Sequence, residues 1–375
     1  MKFAIITHAV HKKVNNTLFA YEPYVREMNL WLQYVEKVKV LAPISSEKIS
    51  EIDEKYNHKN ILLLKIPSFN VITFFNKVKS IILIPIIFIK IFKVMLWADH
   101  IHLRCPGNIG LLGCFVQILF PNKPKTVKYA GNWDSKSKQP FSYRLQKKII
   151  SNTFLTRNCK VLVYGDWKNQ SKNIIPFFTA SYYKDEVENV SKKELDVTIN
   201  FIFVGSFSKG KQPLLSVKTV EKLLLKNYDV KLNMYGDGAE FSTLKKYIVD
   251  KKLSNNIILH GNQPKEIVKE AFKKSHFLIF ISKSEGWPKV VAEAMFWRCL
   301  PISSRVSCVD YMLGNGKRGT TVPPNVREEN LVKIIVDYMH NKEIYQKKVL
   351  AAQKWSQKFN LDTFDIEIKK LLLSE

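Results

Sequence analysis

Glu285 and Glu293 bracket the run Gly286-Trp287-Pro288-Lys289-Val290, and these types at this spacing suit a ligand with a phosphate middle and hydroxyl-bearing ends. Pro288 fits the first position of a helix, where its missing N–H costs no helical bond, and no breaker follows until Pro301. A helix start offers amide N–H groups and roughly half a positive charge, and Gly286 lets a large anion approach the backbone closely. Phosphate is the natural guest. Glu285 precedes the helix and Glu293 lies more than one turn inside it, so the two carboxylates can accept hydrogen bonds from hydroxyls at opposite ends of such a ligand. Two isolated glutamates are better explained by a solvated loop and a solvated helix face, so the surrounding segments decide.

Those segments are consistent. Phe201-Ile202-Phe203-Val204-Gly205-Ser206-Phe207-Ser208-Lys209-Gly210-Lys211 is an apolar strand that breaks at glycine into a basic loop, with a helix from about Leu214. Leu232-Asn233-Met234-Tyr235-Gly236-Asp237-Gly238 is again a strand ending in a glycine turn. Two short apolar strands follow, at 256–262 and 277–282, with a helical segment over 265–274 between them.

In this order the motifs resemble the second domain of the family 4 retaining glycosyltransferases, the glycosyl transferases group 1, and Glu285 and Glu293 are spaced as that family's E-x7-E motif. The resemblance implies a GT-B fold, α/β throughout, with two Rossmann-like domains facing each other across a cleft and a C-terminal helix crossing back to the first. It implies a UDP- or GDP-sugar donor, with Glu285 on the donor sugar hydroxyls, Glu293 on the ribose, and the backbone from Gly286 to Val290, including Trp287, Pro288 and Lys289, at sugar and phosphate. Gly205, Gly236 and Lys211 belong to the same donor site, Lys211 neutralising the diphosphate leaving group. The family usually carries an arginine just after the first glycine; here Ser206 stands in its place, and Lys209 either shares that role or is a solvated charge. Arg298 stands where relatives often end this helix with glycine, so the helix is expected to close without a left-handed glycine cap.

At 375 residues the chain exceeds one typical core, and alternating apolar runs and amphipathic stretches argue for two α/β domains. Expected strands in the first half lie at 2–7, 38–42, 61–65, 100–103, 126–130 and 161–164. The expected organisation is an acceptor-binding domain over 1–185, a polar linker over 180–195, a nucleotide-sugar domain over 196–355, and a terminal helix over 356–375. The stretch 341–373 reads as two helices broken near Phe359-Asn360.

Five scattered cysteines with no metal-type spacing indicate neither a zinc site nor a disulfide framework, which fits a reducing cytoplasm. No metal and no cofactor is expected. The formal charge is +26, and between 123 and 172 twelve Lys or Arg face only Asp134 and Asp166, which suggests an anionic partner. Nucleic-acid motifs are missing, so an anionic membrane surface is the expected partner. The stretch 74–97 holds a nine-residue apolar run, Ile81 to Ile89, flanked by Lys77, Lys79, Lys90 and Lys93. Nine residues are too few to cross a bilayer, which needs about 20. The segment is either an interfacial helix or a core helix, and both hold if its two faces differ.

On the acceptor side, His8, His11 and Arg26 follow the first strand, and Asp134 and Asp166 follow later ones, where open α/β sheets bind ligands. Each is a candidate, with a structural role as the competing account. Taken together the sequence predicts a metal-independent, retaining hexosyltransferase-type enzyme, acting on a glycan or polyprenyl-diphosphate-linked acceptor in surface polysaccharide synthesis, peripheral at the inner membrane face. Two alternatives remain open: a GT-B nucleotide-sugar 2-epimerase, and a non-catalytic nucleotide-sugar-binding or assembly protein.

Overall fold

The computed structural model describes residues 1–50, 52–67 and 74–373, with side chains for all of these except 74–82. It contains two compact units: 1–178 together with 364–375, and 179–363.

The first unit runs β1 (Lys2–Ile6), β2 (His11–Val14), β3 (Thr17–Tyr21), α1 (Glu22–Leu32), β4 (Lys37–Ala42), β5 (Asp53–Lys55), β6 (Ile61–Lys65), α2 (Phe74–Trp97), β7 (His100–Cys105), α3 (Asn108–Val116), β8 (Lys125–Tyr129), α4 (Phe141–Ser151), β9 (Cys159–Tyr164) and β10 (Ile174–Phe177). Seven of these strands form a parallel sheet in the order β10-β9-β8-β7-β1-β4-β6. The order reverses between β1 and β7. Pro176, which cannot donate to a ladder, sits in the edge strand β10, where it is tolerated. The central strands are buried on both faces, as parallel strands covered by helices are, but β7 and β8 bury polar and charged side chains there, among them His100, His102, Lys125 and Lys128.

The second unit runs β11 (Ile199–Val204), α5 (Pro213–Leu225), β12 (Val230–Tyr235), α6 (Phe241–Asp250), β13 (Ile257–Gly261), α7 (Lys265–Lys274), β14 (Phe277–Phe280), α8 (Lys289–Phe296), β15 (Leu300–Ser304), α9 (Val309–Met312), β16 (Thr320–Val322), α10 (Glu328–His340), α11 (Lys342–Ser356) and the start of α12 (Leu361–Leu373). Its sheet is parallel in the order β13-β12-β11-β14-β15-β16, reversing between β11 and β14.

Three sequence expectations change. The residues after β1, where no strand was expected, form the hairpin β2-β3, which pairs with β5 in a small antiparallel sheet. Asn15 and Asn16 turn it, both at positive φ (45° and 66°), the backbone a two-residue hairpin of matching twist requires. The segment expected as a linker is instead packed on the second unit. Tyr182 lies against Phe296 and Trp297, and the Lys193 amine donates to the carbonyls of Phe272, Ser275 and Trp297. The unit boundary therefore falls after Phe178, before the polar stretch. At the other end α12 is divided, and from Phe364 onward it belongs to the first unit, where Asp365 accepts a hydrogen bond from Tyr34 (2.7 Å) and Phe364 packs on Phe177 and Phe178. Asn360 supplies the break before it, its side chain accepting the Thr363 N–H at 2.8 Å as an N-cap.

The 74–97 stretch is one helix with two faces. Ile87, Ile91, Val94 and Met95 recur at helical spacing and are buried in the first unit's core. Ile86, Ile89, Lys90, Lys93 and Leu96 point outward and are exposed. Lys77 and Lys79 lie outside the described side chains. Part of the basic charge between 123 and 172 is spent internally: Lys123 donates to the carbonyls of Met95, Leu96 and Ala98, Lys125 to Phe120 and Lys123, and Lys128 to Phe178.

Candidate functional site

Where a parallel sheet reverses its strand order, the loops leaving the carboxyl ends of the two middle strands diverge and open a crevice. In the second unit those strands are β11 and β14, and the loops are 205–212 and 281–288. Lys211 comes from the first and Glu285 from the second, and they form an ion pair with the carboxylate 9% exposed. The Lys211 ammonium also lies 5.0 Å from the centre of the Phe280 ring. Two residues 74 apart in sequence are thus brought into contact at the switch point.

The loops are held by their main chains. Gly205 N–H donates to Tyr235 (3.0 Å), Gly236 N–H to Gly261 (2.8 Å), Phe207 N–H to Asp237 (2.9 Å), Glu240 N–H to Phe207 (2.9 Å) and Lys283 N–H to Gly210 (2.8 Å). The turn after β12 is glycine for a steric reason. Gly236 has φ +133°, and a Cβ there would stand 2.0 Å from the Gly205 carbonyl oxygen. Ser206 and Lys209 lie on the exposed side of the first loop.

Pro288 is the N-cap of α8 rather than its first turn, because its ψ of 95° is extended, and its carbonyl accepts the first helical bond from Val291 (3.0 Å). Lys289 and Val290 open the helix. The Gly286 carbonyl is pinned by the Ser307 hydroxyl (2.8 Å) and the Cys308 thiol (3.2 Å). Trp287 turns away into the core, stacked on Trp355 and packed on Phe359. Glu293, inside α8, accepts a hydrogen bond from the Ser181 hydroxyl at 2.5 Å. Ser181 lies in the segment expected as linker, and its sequence neighbourhood gave no signal for this role.

The end of α8 closes without glycine, as expected, yet keeps the left-handed turn. Arg298 itself adopts the left-handed conformation (φ 57°), with Cys299 N–H bonded to Ala294 (2.8 Å) and Arg298 N–H to Met295 (3.4 Å). That is a complete Schellman cap with arginine in the glycine position. The guanidinium is held by Gln353 (2.7 Å) and the Val190 carbonyl (2.6 Å).

In the first unit the acceptor-side candidates separate. His8 lines a cavity of about 890 Å³ with Arg104, Tyr24, Lys12, Ala130 and Gly131. Its pKa is lowered, first by lost hydration and then by the Arg104 charge. His11 is buried instead, bonded to the Tyr56 hydroxyl and the Ala9 carbonyl, and burial lowers its pKa to about 4. Arg26 pairs with Glu22 on α1. Asp134 stabilises its own turn by accepting the Lys136 N–H (2.9 Å), and Asp166 is exposed. Arg104, next to the last residue of β7 at the sheet's switch point, lies outside the expected strand, which stopped at Leu103.

Two Rossmann-like α/β units, each built on a parallel sheet whose strand order reverses once, are the GT-B fold. Solved structures agree on this: a sucrose-phosphate synthase from Thermosynechococcus elongatus (TM-score 0.68, 16% identity, 99% of this chain and 98% of that one) and HepE from Anabaena (TM-score 0.70, 12% identity, 100% of each chain). Residues 185–355 match the family model for glycosyl transferases group 1, so the family resemblance holds for the second unit. Among curated proteins the chain is similar to an uncharacterised glycosyltransferase of Methanocaldococcus jannaschii, 25% identical over 172 residues, covering 45% of this chain and 46% of that protein. It is also similar to the capsular polysaccharide biosynthesis glycosyltransferase CapH of Staphylococcus aureus, 24% identical over 236 residues, covering 59% and 63%. The chain thus spans less than two thirds of the length of these relatives.

Proposed function

We propose that this chain is a retaining, hexosyltransferase-type glycosyltransferase that moves a sugar from a UDP- or GDP-linked donor to a glycan or polyprenyl-diphosphate-linked acceptor, in bacterial surface polysaccharide synthesis. The observation that carries this reading is the Lys211–Glu285 pair at the switch point beside the opening of α8. An incoming diphosphate recruits the Lys211 ammonium, with Lys209 and the α8 amides beside it, and Glu285 is then released to the donor sugar hydroxyls. Glu293, oriented by Ser181, takes the ribose. Leaving-group charge develops in the transition state, and Lys211 with the helix start stabilises it without a metal ion. Support from relatives is consistent: the CapH protein is named for capsular polysaccharide synthesis, a further relative is a poly(glycerol-phosphate) alpha-glucosyltransferase of Bacillus subtilis, and the HepE structure contains UDP and glucose.

We place the enzyme in the cytoplasm, at the inner face of the membrane. Among the described residues no helix is long and apolar enough to cross a bilayer. The outward face of α2, where Ile86, Ile89 and Leu96 are exposed beside Lys90 and Lys93, instead suits an anionic interface.

Labelled UDP- and GDP-sugars incubated with and without lipid-linked acceptors test the reaction. Transfer to acceptor with retained configuration is expected, and Lys211→Gln should lower kcat about 100-fold with a smaller effect on KM. Epimerised donor formed without acceptor would make the protein a 2-epimerase. Tight UDP binding with no turnover would make it a non-catalytic binder.

A further inference from the structure

The first unit repeats the second unit's placement rule, and its crevice holds a charge that the fold leaves under-used. The cavity of about 890 Å³ opens where β1, β7 and β8 end, beside the reversal between β1 and β7. That volume suits a sugar-sized or larger guest. Arg104 lines it with a side chain only 14% exposed. Among the described residues its one hydrogen bond is a long one, 3.5 Å to Glu27, itself 3% exposed, and its guanidinium lies 5.2 Å from the centre of the Tyr24 ring.

A guanidinium carries five N–H donors in a flat fork, and removing it from water is costly unless oxygens replace the lost hydration. Burial opposes the charge, and the Glu27 carboxylate leads the groups that more than offset it, but one long bond leaves most of the fork's N–H donors without an oxygen partner among the described residues. Of the other two cations on the cavity wall, the Lys12 ammonium is taken by Asp53 (2.8 Å) and the Lys48 carbonyl (2.9 Å), and Lys48 is an exposed residue at the rim. His8 is neutral near pH 7, since its pKa is lowered by lost hydration and by Arg104, so it presents one donor and one acceptor to a hydroxyl.

We propose that this cavity is a binding site for an acceptor that bears an anionic oxygen group, carboxylate or phosphate, gripped by the Arg104 fork, with His8 against a neighbouring hydroxyl. The word acceptor rests on the function proposed above; the anion site stands apart from it and is tested apart. A fork that reads two oxygens in one plane selects against a neutral sugar of the same size.

Calorimetry in saturating UDP, which keeps the second unit's site filled, uses three probes: D-glucuronate for a carboxylate, glycerol 3-phosphate for a phosphate, and D-glucose as the neutral control. At least one anionic probe should bind and glucose should not, and which anion binds identifies the source. Arg104→Lys should weaken that binding about tenfold or more. The double variant Arg104→Gln/Glu27→Gln removes both partners together, so no buried carboxylate is stranded, and it should abolish anion binding while UDP affinity stays unchanged. Ala9→Trp, which narrows the cavity and leaves the ion pair intact, should do the same. Binding of either anion undiminished in the double variant, equal binding of glucose, or no binding of either anion to the wild-type protein overturns the proposal. Failure of both UDP and GDP to bind the wild-type protein would instead count against the donor reading, and the anion arms can then be run without nucleotide.

Discussion

Replacing Arg298 with glycine sets a sequence rule against the structure. Position 298 is the left-handed residue of the α8 cap, where glycine is the favoured type, and relieving a non-glycine residue there is worth about 1–2 kcal/mol. Against that, Arg298→Gly loses two charge-assisted hydrogen bonds, to Gln353 at 2.7 Å and to the Val190 carbonyl at 2.6 Å, worth about 1.5–3 kcal/mol each. Glycine also loosens the unfolded chain, a further cost of about 0.4–1 kcal/mol. Because Arg298 is only half-buried, the lower end of the hydrogen-bond range applies, and the net effect is a destabilisation of about 1–3 kcal/mol. Urea unfolding followed by tryptophan fluorescence measures it, since Trp297 is fully buried beside the cap. UDP affinity should fall as well, because the same helix carries Glu293. If Arg298→Gly is as stable as the wild type or more so, the guanidinium contacts do not hold this helix end and the reasoning is wrong.

Glu293→Ala removes a carboxylate held by Ser181 and should weaken UDP binding by about 1–3 kcal/mol in calorimetry; unchanged affinity takes Glu293 out of the site. Gly236→Ala places a Cβ 2.0 Å from the Gly205 carbonyl oxygen, so both the melting temperature and UDP affinity should drop, and a variant indistinguishable from wild type would show that the two turns are not interlocked. Folded His11 stays neutral down to about pH 4 because it is buried, whereas the unfolded imidazole binds a proton below 6.5; the unfolded state therefore binds more protons in that window, and stability falls as pH falls from 6.5 towards 4. His11→Gln should make that slope shallower in urea titrations across the window, and an unaltered slope refutes the assignment. Changing Lys90 and Lys93 to glutamine should release the protein from anionic vesicles in co-sedimentation, and retained binding would exclude the outer face of α2 as the contact.

The second unit was more legible than the first, for a physical reason. Its strands are short apolar runs, three of which (β11, β12 and β13) end at or beside glycine, and proline marks the starts of α5, α7 and α8, so β11, β12, β13, β14, α7 and α8 lie within a residue or two of where the sequence places them. Strands β15 and β16 went unnoticed: Leu300–Ser304 carries a proline and two serines, and its burial comes from neighbours, not composition. In the first unit, the Asn15-Asn16 turn was a readable hairpin signal obscured by the lysines and the histidine of β2. Glu293's partner Ser181 and the Arg104 cavity were not readable, because each depends on residues that only the sheet order brings together. Net charge misled in part, since Lys123, Lys125 and Lys128 serve buried carbonyls.

The bonds between Gly205, Phe207, Tyr235, Gly236, Asp237 and Gly261 run from main chain to main chain. A rim made this way has a shape that does not depend on which side chains it carries. Its outward positions can therefore be exchanged like fittings on a rigid frame, and Ser206, exposed and outside this lacing, is one of them. An arginine at 206 would change the charge of the loop without asking it to refold, so, on the donor reading proposed above, the chain's departure at this position from the family it resembles would alter the strength of a phosphate grip and leave its geometry intact.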